Sequence, residues 1–522
     1  MVLIVIGLVL GVGSLLVLGM VSGNPKLTRD QITQKALKEA KQGLLAYAVS
    51  WPNRRGTDAA VSSNDVFGQK RGPGLLPCPD IDNSGAANQG GCGNESGSSA
   101  TGQISRLGRL PFRTLGLPDL RDGSGERLWY AVSSKYKTSD PNYDLNPDSG
   151  LGTITIRSAD GTVIHDGTNT NLYLAQSGGV AAVVISPGAA IERWNDAGGV
   201  SRTTQDRGCG ATGCTSQGVC NPPEDTVPRC MPVNYLEKAW GLGSNEDNAD
   251  FVDRNDVRAG NANGFISGPI SRMDGSVAVN DQLVYITYDE IMQAVMHRVA
   301  LEVANCLDLY AAANAGRYPY PAPVCRSGYA STNQWSDRDQ ILFGRVPAPP
   351  FDTTRPDMGG LPVAETWAMT GPRGCTLDTT ASNRWWLGWR NHVFIAIADN
   401  YRPGTISPPA CTESTCLQVV DSTGAITASG KRYAVIVSGR PLADASPSQT
   451  RAGGSPLSPR LAGNYVEGSN AQLERLNNLS GISECSDMGP FPPACSPLSN
   501  CNRIQKSTTT STFNDVVYVF PP

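Results

Sequence analysis

The chain has 522 residues, a length that indicates roughly two to four domains. Its residues are 39% hydrophobic and 17% charged, a balance that indicates a folded protein. A formal net charge of −4 with no basic run argues against nucleic acid, and none is predicted as a primary partner. The three histidines, His165, His297 and His392, lie far apart in sequence and leave little material for a histidine-based metal or catalytic cluster.

The first 22 residues carry no charge, and the first charged residue is Lys26. A helix of this length spans about 33 Å, which is enough to cross the core of a bilayer. A secretory signal peptide would have a basic segment, a shorter apolar core and a small-residue cleavage site, and the sequence lacks this pattern. A plain single-span membrane anchor fits residues 1–22 equally well, so the choice depends on the residues after Ser22.

Residues 28–51 have the pattern of a second, amphipathic helical segment. Gly23, Asn24 and Pro25 interrupt the apolar run, and Thr28 with Gln31 forms a capping box that would restart the helix. Apolar residues then recur at helical spacing, at Ile32, Ala36, Leu37, Ala40, Leu44 and Ala48. The pattern predicts one long helix that is apolar in its first half and lies on a sheet in its second.

The body that follows is predicted to be rich in loops and short strands, because the chain contains 57 glycines and 37 prolines. A Gly-rich turn at 122–126 leads into a strand at 128–132. Further strands are predicted at 152–156, 163–165, 172–175 and 180–185.

The second half of the chain repeats features of the first in the same order. The paired segments are 44–49 with 307–312, Cys78 with Cys325, 128–136 with 393–401, 180–186 with 431–438, 234–237 with 464–467, and 280–286 with 514–519. Together these weak echoes indicate two tandem modules, at 28–284 and 285–522, each with a helix packed on an antiparallel sheet. The second helix, 286–314, contains Asp289 and Glu290 and should not span a membrane.

The 14 cysteines lie mostly in loops rich in Gly, Pro, Ser and Asn. Together with the apolar amino-terminal segment, they indicate an oxidising compartment and several disulfides. Proximity in sequence favours the bridges Cys78–Cys92, Cys220–Cys230 and Cys411–Cys416. Sequence alone leaves the connectivity open. Zinc is the competing interpretation, and the lack of a Cys-x-x-Cys pair argues against it.

One loop matches the first half of a calcium-binding loop. Asp80, Asp82 and Ser84 provide oxygen atoms at positions one, three and five, and Gly85 follows at position six. The twelfth position is Gly91 where a bidentate glutamate is expected. The missing ligand favours the alternative, an Asx-rich turn before a disulfide.

Other chemistry-bearing motifs are scarce. The sequence has no nucleophile elbow, P-loop or His-Glu-x-x-His motif, so no enzymatic activity is predicted. Trp385, Trp386 and Trp389 form a cluster that could stack on sugars, as an adhesin would require. Burial in the core is the more common fate of such rings.

Three stretches together resemble type IV pilins and the pseudopilins of type II secretion: residues 1–22, 28–51 and 122–130. In that family a helix that is apolar and then amphipathic leads into a cysteine-bearing sheet domain. The Asp-Gly turn before an aromatic strand is similar to the turn of major pseudopilins. The basic leader and the Phe-Thr-Leu-Ile-Glu-type start of prepilins are not in the sequence, so Met1 would fall inside the mature helix.

The resemblance also implies a second calcium candidate. Pseudopilins of this type bind calcium near the equivalent turn, which implies a weaker site at Asp119, Asp122 and Glu126.

The expected fold is α+β. It has a pilin-type helix with an apolar half at 1–27, and then the modules 28–284 and 285–522, both loop-rich and disulfide-bonded. The resemblance implies a structural, non-enzymatic subunit of an extracellular type IV pilus-like filament, a homopolymer held together by its amino-terminal helices. Such a subunit would lie in the inner membrane before assembly and would meet a pilus or secretion assembly machinery. The alternatives are a minor tip pilin or adhesin, a type II secretion pseudopilin, or, from another class, a membrane-anchored periplasmic binding or hydrolytic protein.

Overall fold

The computed structural model describes residues 25–50, 73–87, 107–133, 136–137, 145–169, 171–194, 202–210, 213–220, 227–237, 248–249, 264–326, 335–348, 375, 377, 384–404, 410–412, 415–443, 449–451, 460–477, 479, 482, 485–486, 501–510 and 512–521. Within them the chain is a mixed α+β fold with several small sheets and disulfides, which confirms the predicted class at that level. The helices are α1 (Pro25–Ser50), α2 (Phe112–Leu115), α3 (Tyr288–Ala313), α4 (Arg384–Trp389) and α5 (Gly468–Ala471).

The strands follow one another in short segments. They are β1 (Leu107–Arg109), β2 (Trp129–Val132), β3 (Thr155–Arg157), β4 (Val163–His165), β5 (Ala182–Ser186), β6 (Glu192–Trp194), β7 (Arg202–Thr204), β8 (Gly264–Ile266), β9 (Ile270–Ser271), β10 (Val277–Val279), β11 (Gln282–Ile286), β12 (Phe343–Arg345), β13 (Val393–Ile397), β14 (Leu417–Val420), β15 (Ile426–Lys431), β16 (Tyr433–Val437), β17 (Arg503–Gln505) and β18 (Val516–Phe520).

The main sheets come in two matching pairs. One four-stranded sheet has the order β1-β2-β5-β11 and another has β12-β13-β16-β18, with every neighbouring pair antiparallel. Two three-stranded sheets have the orders β4-β3-β8 and β15-β14-β17. In each of these, one neighbouring pair is antiparallel and the other is parallel. The ribbons β6–β7 and β9–β10 complete the set.

Helix α1 is amphipathic, as its sequence pattern predicts. Pro25 lies at the first turn, where its missing N–H costs no helical hydrogen bond. The predicted capping box is wrong as a start signal, because Thr28 lies inside the helix. Ile32 is exposed rather than part of the apolar face. The buried members of that face are Ala36, Leu37, Ala40, Leu44 and Ala48. They pack on β5, β11 and α3.

Helix α3 lies between the second four-stranded sheet and helix α1. It begins after Thr287, whose side chain and that of Glu290 form a reciprocal capping box. The helix packs on β16 and β18 and also against α1. Its buried residues belong to one apolar cluster that includes side chains from both four-stranded sheets. The two halves of the chain therefore share a continuous core.

One predicted strand is wrong. Residues Leu172–Leu174 form a 3-10 helical turn instead of an extended segment. The side chain of Asn171 caps this turn by accepting a hydrogen bond from the backbone N–H of Tyr173 at 3.0 Å. When a short polar side chain accepts a hydrogen bond from the backbone two residues on, it favours a turn over a strand. This local preference explains why residues 172–174 form a turn.

The predicted localisation needs correction. Within the part of the chain that the structure describes, no helix is long and apolar enough to cross a membrane. This finding contradicts the expected inner-membrane subunit that later enters an extracellular filament, and with it the predicted transmembrane helix. The expectation rested on residues 1–22, which lie outside the described residues.

Disulfides connect the loops. The predicted bridges Cys220–Cys230 and Cys411–Cys416 are confirmed. The structure adds Cys209–Cys214, Cys306–Cys375 and Cys325–Cys485. Cys78 is also disulfide-bonded, but its predicted partner Cys92 lies outside the described residues. Cysteines engaged in this way are not available as zinc ligands.

Candidate functional site

The first calcium candidate forms a tight turn that satisfies its own carboxylates. The backbone N–H of Ser84 donates to Oδ1 of Asp80 at 3.1 Å and to Oδ1 of Asp82 at 3.0 Å. The N–H of Gly85, which has a φ of 86°, donates to Oδ2 of Asp80 at 2.6 Å. Burial raises the pKa of Asp80 to about 7, and the neighbouring Asp82 carboxylate adds to the shift. The bond from Ser84 to Asp82 is that of an Asx turn, and Asp80 accepts from the same stretch of backbone four and five residues on.

The position of this turn is set by strand β1. The backbone of Asp80 exchanges two hydrogen bonds with Arg109, at 2.9 and 2.6 Å. A Cβ at Gly108 would lie 2.6 Å from the carbonyl oxygen of Asp80, so only glycine permits this close approach. The carbonyl of Asp82 accepts a bond from the N–H of Cys220 at 2.8 Å, which holds the far side of the turn.

In the second calcium candidate, Asp122 accepts four hydrogen bonds. Its Oδ1 accepts from the N–H groups of Ser124 at 2.8 Å and Glu126 at 3.0 Å. Its Oδ2 accepts from the hydroxyl of Ser186 at 2.9 Å and the N–H of Gly188 at 3.0 Å. Asp122 thus ties the turn to the end of β5.

The other two residues of that candidate are paired with arginines. Asp119 lies 2.7 Å from Arg121 and 2.9 Å from Arg127, and Glu126 lies 3.4 Å from Arg207. Burial raises the pKa of Asp119, but hydrogen bonds from Arg127 and Arg121 outweigh it and hold the pKa below its usual value. Among the described residues, no group of three or more His, Cys, Asp or Glu side chains could hold a metal ion. Both calcium assignments stay predictions.

A calcium titration tests them. Because the carboxylates already accept bonds from backbone N–H groups and arginines, we expect calcium to leave the melting temperature unchanged. A site with a Kd of about 0.1 mM would add roughly 2.7 kcal/mol of stability at about 10 mM calcium. A calcium-dependent rise in the melting temperature that disappears in Asp80→Asn would restore the first assignment, and one that disappears in Asp119→Asn would restore the second.

A feature that the sequence did not single out is a buried arginine in each four-stranded sheet. The guanidinium of Arg109 on β1 lies 4.0 Å from the ring centroid of Trp129 and 3.9 Å from that of Tyr235. Arg345 on β12 lies between two aromatic rings in the same way. Burial lowers the pKa of both guanidinium groups to about 10, which leaves them charged at neutral pH.

In the second sheet the guanidinium of Arg345 lies 4.0 Å from the ring centroid of Phe394 and 4.4 Å from that of Tyr465. Cation–π contacts of this kind stabilise a buried cation. Behind each aromatic pair lies a second arginine. Arg207 is 4.6 Å from the ring of Tyr235, and Arg451 is 4.6 Å from that of Tyr465.

A buried polar network adjoins the first arginine stack. Nε2 of Gln205 donates to Glu237 at 2.6 Å, and the backbone N–H of Glu237 donates to Asp281 at 3.0 Å. The amide of Asn248 donates to the same oxygen of Asp281 at 2.8 Å. The backbone N–H of Asn280 donates to Glu237 at 3.2 Å. The network joins residues that lie far apart in the chain.

The second half contains the same network. Gln449 donates to Glu467 at 2.6 Å, and the N–H of Glu467 donates to Asp515 at 3.0 Å. Asn470 donates to Asp515 at 2.9 Å, and the N–H of Asn514 donates to Glu467 at 3.0 Å. Each of these bonds has a counterpart of the same chemistry in the first half.

Comparisons with protein-family models, with curated proteins and with solved structures found no match. The function must therefore be inferred from this chain's own residues.

A serine, a histidine and an aspartate also come together where the two halves meet. The ring of His392 lies 3.4 Å from the hydroxyl of Ser438 on one side and 3.4 Å from a carboxylate oxygen of Asp148 on the other. Ser438 is completely buried, so no substrate can reach its hydroxyl. Burial lowers the pKa of His392 to about 3, which keeps the ring neutral. The trio is a packing contact between the halves and does not support acyl transfer.

The tryptophan cluster is part of the core. Trp385, Trp386 and Trp389 are all buried, and the first two rings pack edge to face at 5.8 Å. They present no exposed stacking platform for a sugar.

Proposed function

We propose that this chain is a structural subunit of the type IV pilin class, and that it polymerises through its apolar amino-terminal segment, residues 1–22. The segment contains 16 Val, Leu, Ile or Met residues. At about 1.5–3 kcal/mol for each buried side chain, packing these segments together would provide tens of kcal/mol before ordering costs. The described body would then form the outer wall of the filament.

The observation that carries the proposal is a contact between two of the stretches that resemble pilins. The Asp-Gly turn lies directly on α1, where the N–H of Gly123 donates to Oγ1 of Thr33 at 3.0 Å. A Cβ at Gly123 would collide with the backbone of Arg29, so the turn requires glycine there. Helix α1 exposes Lys35 and Lys38 on its other side. A helix that follows an apolar segment in the sequence and fixes this turn is what the pilin interpretation requires.

We further propose that the body arose from tandem duplication of one helix-on-sheet module. The matching sheet orders support this, as do the matching networks around Glu237 and Glu467. The boundary would lie between β11 and α3, close to the predicted division at 284/285. The duplicated body would give each subunit a larger outer surface than a single module.

Substitution inside the apolar segment tests polymerisation. We expect Leu10→Asp to abolish filaments in negative-stain electron microscopy, because an uncompensated carboxylate in an apolar bundle costs several kcal/mol. Leu10→Met is the matched control and should assemble like the unmodified chain, since it conserves volume and polarity. Filaments of equal yield from Leu10→Asp would refute assembly through this segment.

A further inference from the structure

Each half of the molecule contains two buried carboxyl groups that touch. They are Glu237 with Asp281 in the first half and Glu467 with Asp515 in the second, and all four residues are at most 5% exposed. Backbone N–H groups join each pair: the N–H of Glu237 donates to Asp281 and that of Glu467 to Asp515, so the two carboxyl groups of a pair lie side by side. An ionised carboxylate can only accept hydrogen bonds, so a bond between two carboxyl groups requires one proton.

The hydrogen-bond donors around the second pair also leave one carboxylate oxygen in need of a proton. Oδ2 of Asp515 accepts from the N–H of Glu467 and from the amide of Asn470. The two oxygens of Glu467 accept from Gln449 and from the N–H of Asn514. Oδ1 of Asp515 is buried and has no donor among the residues that the structure describes. A proton shared with Glu467 satisfies this oxygen.

The positive charges of the nearby arginines do not replace the proton that the two carboxyl groups share. Arg451 reaches the second pair through Gln449, whose Oε1 accepts from its guanidinium at 3.2 Å. Its charge lowers the pKa of Glu467, but burial is the larger effect and the net shift is upward. In the first half, Arg207 donates to Oε1 of Gln205 at 2.6 Å and is also paired with Glu126. Arg109 lies on the ring of Tyr235, and Arg345 lies on the ring of Tyr465.

We propose that each carboxyl pair shares one proton, and that the two protons act as a pH-sensitive clamp on the last strand of each four-stranded sheet. Asp281 immediately precedes β11, and Asp515 immediately precedes β18. Through their bonds to Glu237 and Glu467, they fasten the starts of these strands to the preceding loops. Loss of the proton places two carboxylates against each other in a buried site and opens the clamp. The inference holds whether or not the chain polymerises.

The sign of the pH dependence follows from the folded state. Burial raises the pKa of Glu237, and the charge of Asp281 raises it further. Burial likewise raises the pKa of Asp515, with the charge of Glu467 as the second cause. In the unfolded chain these groups titrate near pH 4. The stabilisation of the folded state by the two shared protons is therefore complete below about pH 4. It is lost as the pH rises through the raised pKa values of the folded state.

Asparagine in place of each aspartate tests the clamp, because an amide N–H can donate permanently where the shared proton donates now. We expect the unfolding equilibrium constant of the unmodified protein to increase as the pH rises above about 4. Because unfolding releases two protons from the two pairs, this increase is up to about 100-fold per pH unit. The double variant Asp281→Asn/Asp515→Asn should lose this rise. Asp206→Asn/Asp274→Asn, at two exposed turns, replaces the same number of aspartates and should keep it.

Urea unfolding between about pH 5 and pH 9 measures these slopes. An unchanged slope in the double variant would overturn the proposal. If the double variant does not fold, proton titration of the unmodified protein decides. Near pH 6 the native state should hold about two protons more, relative to the urea-unfolded state, than the shifted pKa values of Asp80, Glu474 and His392 account for. The absence of this excess would also overturn the proposal.

Discussion

Replacing Val299 with aspartate should prevent both halves of the chain from folding. Val299 is completely buried in α3 and belongs to the core cluster that spans both four-stranded sheets. An unpaired carboxylate at such a site costs several kcal/mol, and the loss of apolar packing adds to this. Domains are typically stable by only about 5–15 kcal/mol. Circular dichroism and the yield of soluble protein measure the result.

The same substitution two residues along the helix is the control. Leu301 lies on the solvent side of α3 and is 51% exposed, so Leu301→Asp should change the free energy of unfolding by less than about 0.5 kcal/mol. If Val299→Asp leaves the strands before α3 folded and protected from hydrogen exchange, then the halves have separate cores. That outcome would contradict a continuous core shared by the two halves.

Removing the disulfide between Cys325 and Cys485 should produce the second large effect. It closes a segment of 160 residues, for which the chain-entropy estimate of stabilisation is about 5 kcal/mol. Both sulfurs are buried in a small apolar cluster with Ile341 and Ile482, so the pair Cys325→Ala and Cys485→Ala also loses packing. Urea unfolding of this variant measures the loss.

The bridge Cys411–Cys416 provides the comparison, because it closes a sequence separation of only 5 residues. The same estimate gives about 2 kcal/mol for its removal. We therefore expect the long-range bridge to contribute more than twice as much as the short one. Equal losses in the two double-alanine variants would show that loop closure does not control the stability of this chain.

Local periodicity was enough to predict α1, because its apolar residues recur at helical spacing from Ala36 to Ala48. Helix α3 was predicted from the repetition of the first helix, and the predicted bounds 286–314 lie within two residues of the observed ones. The segment Leu172–Leu174 failed because three apolar residues have no decisive period, and the preceding Asn171 determined the turn. Bridges between near neighbours were predictable, whereas Cys325–Cys485 depends on the tertiary fold.

The buried networks could not be predicted in the same way. Gln205, Glu237 and Asp281 look like ordinary loop residues, and only the fold brings them together. The sequence did mark two of their positions, since the echoes at 234–237 and 280–286 contain Glu237 and Asp281. These echoes indicated repetition but not its chemistry. Buried arginines such as Arg345 leave even less signal, because the aromatic rings that they contact lie far away in the sequence.

Cryo-electron microscopy of filaments assembled from the full-length protein tests whether residues 1–22 hold the subunits together. We expect a core of packed helices formed by residues 1–22, with α1 leading outward and the two four-stranded sheets in the outer wall. Mass spectrometry of the same filaments should identify this chain as their main component. Filaments joined through sheet edges with residues 1–22 outside the core, or an intact full-length protein that forms none, would contradict assembly through the amino-terminal segment.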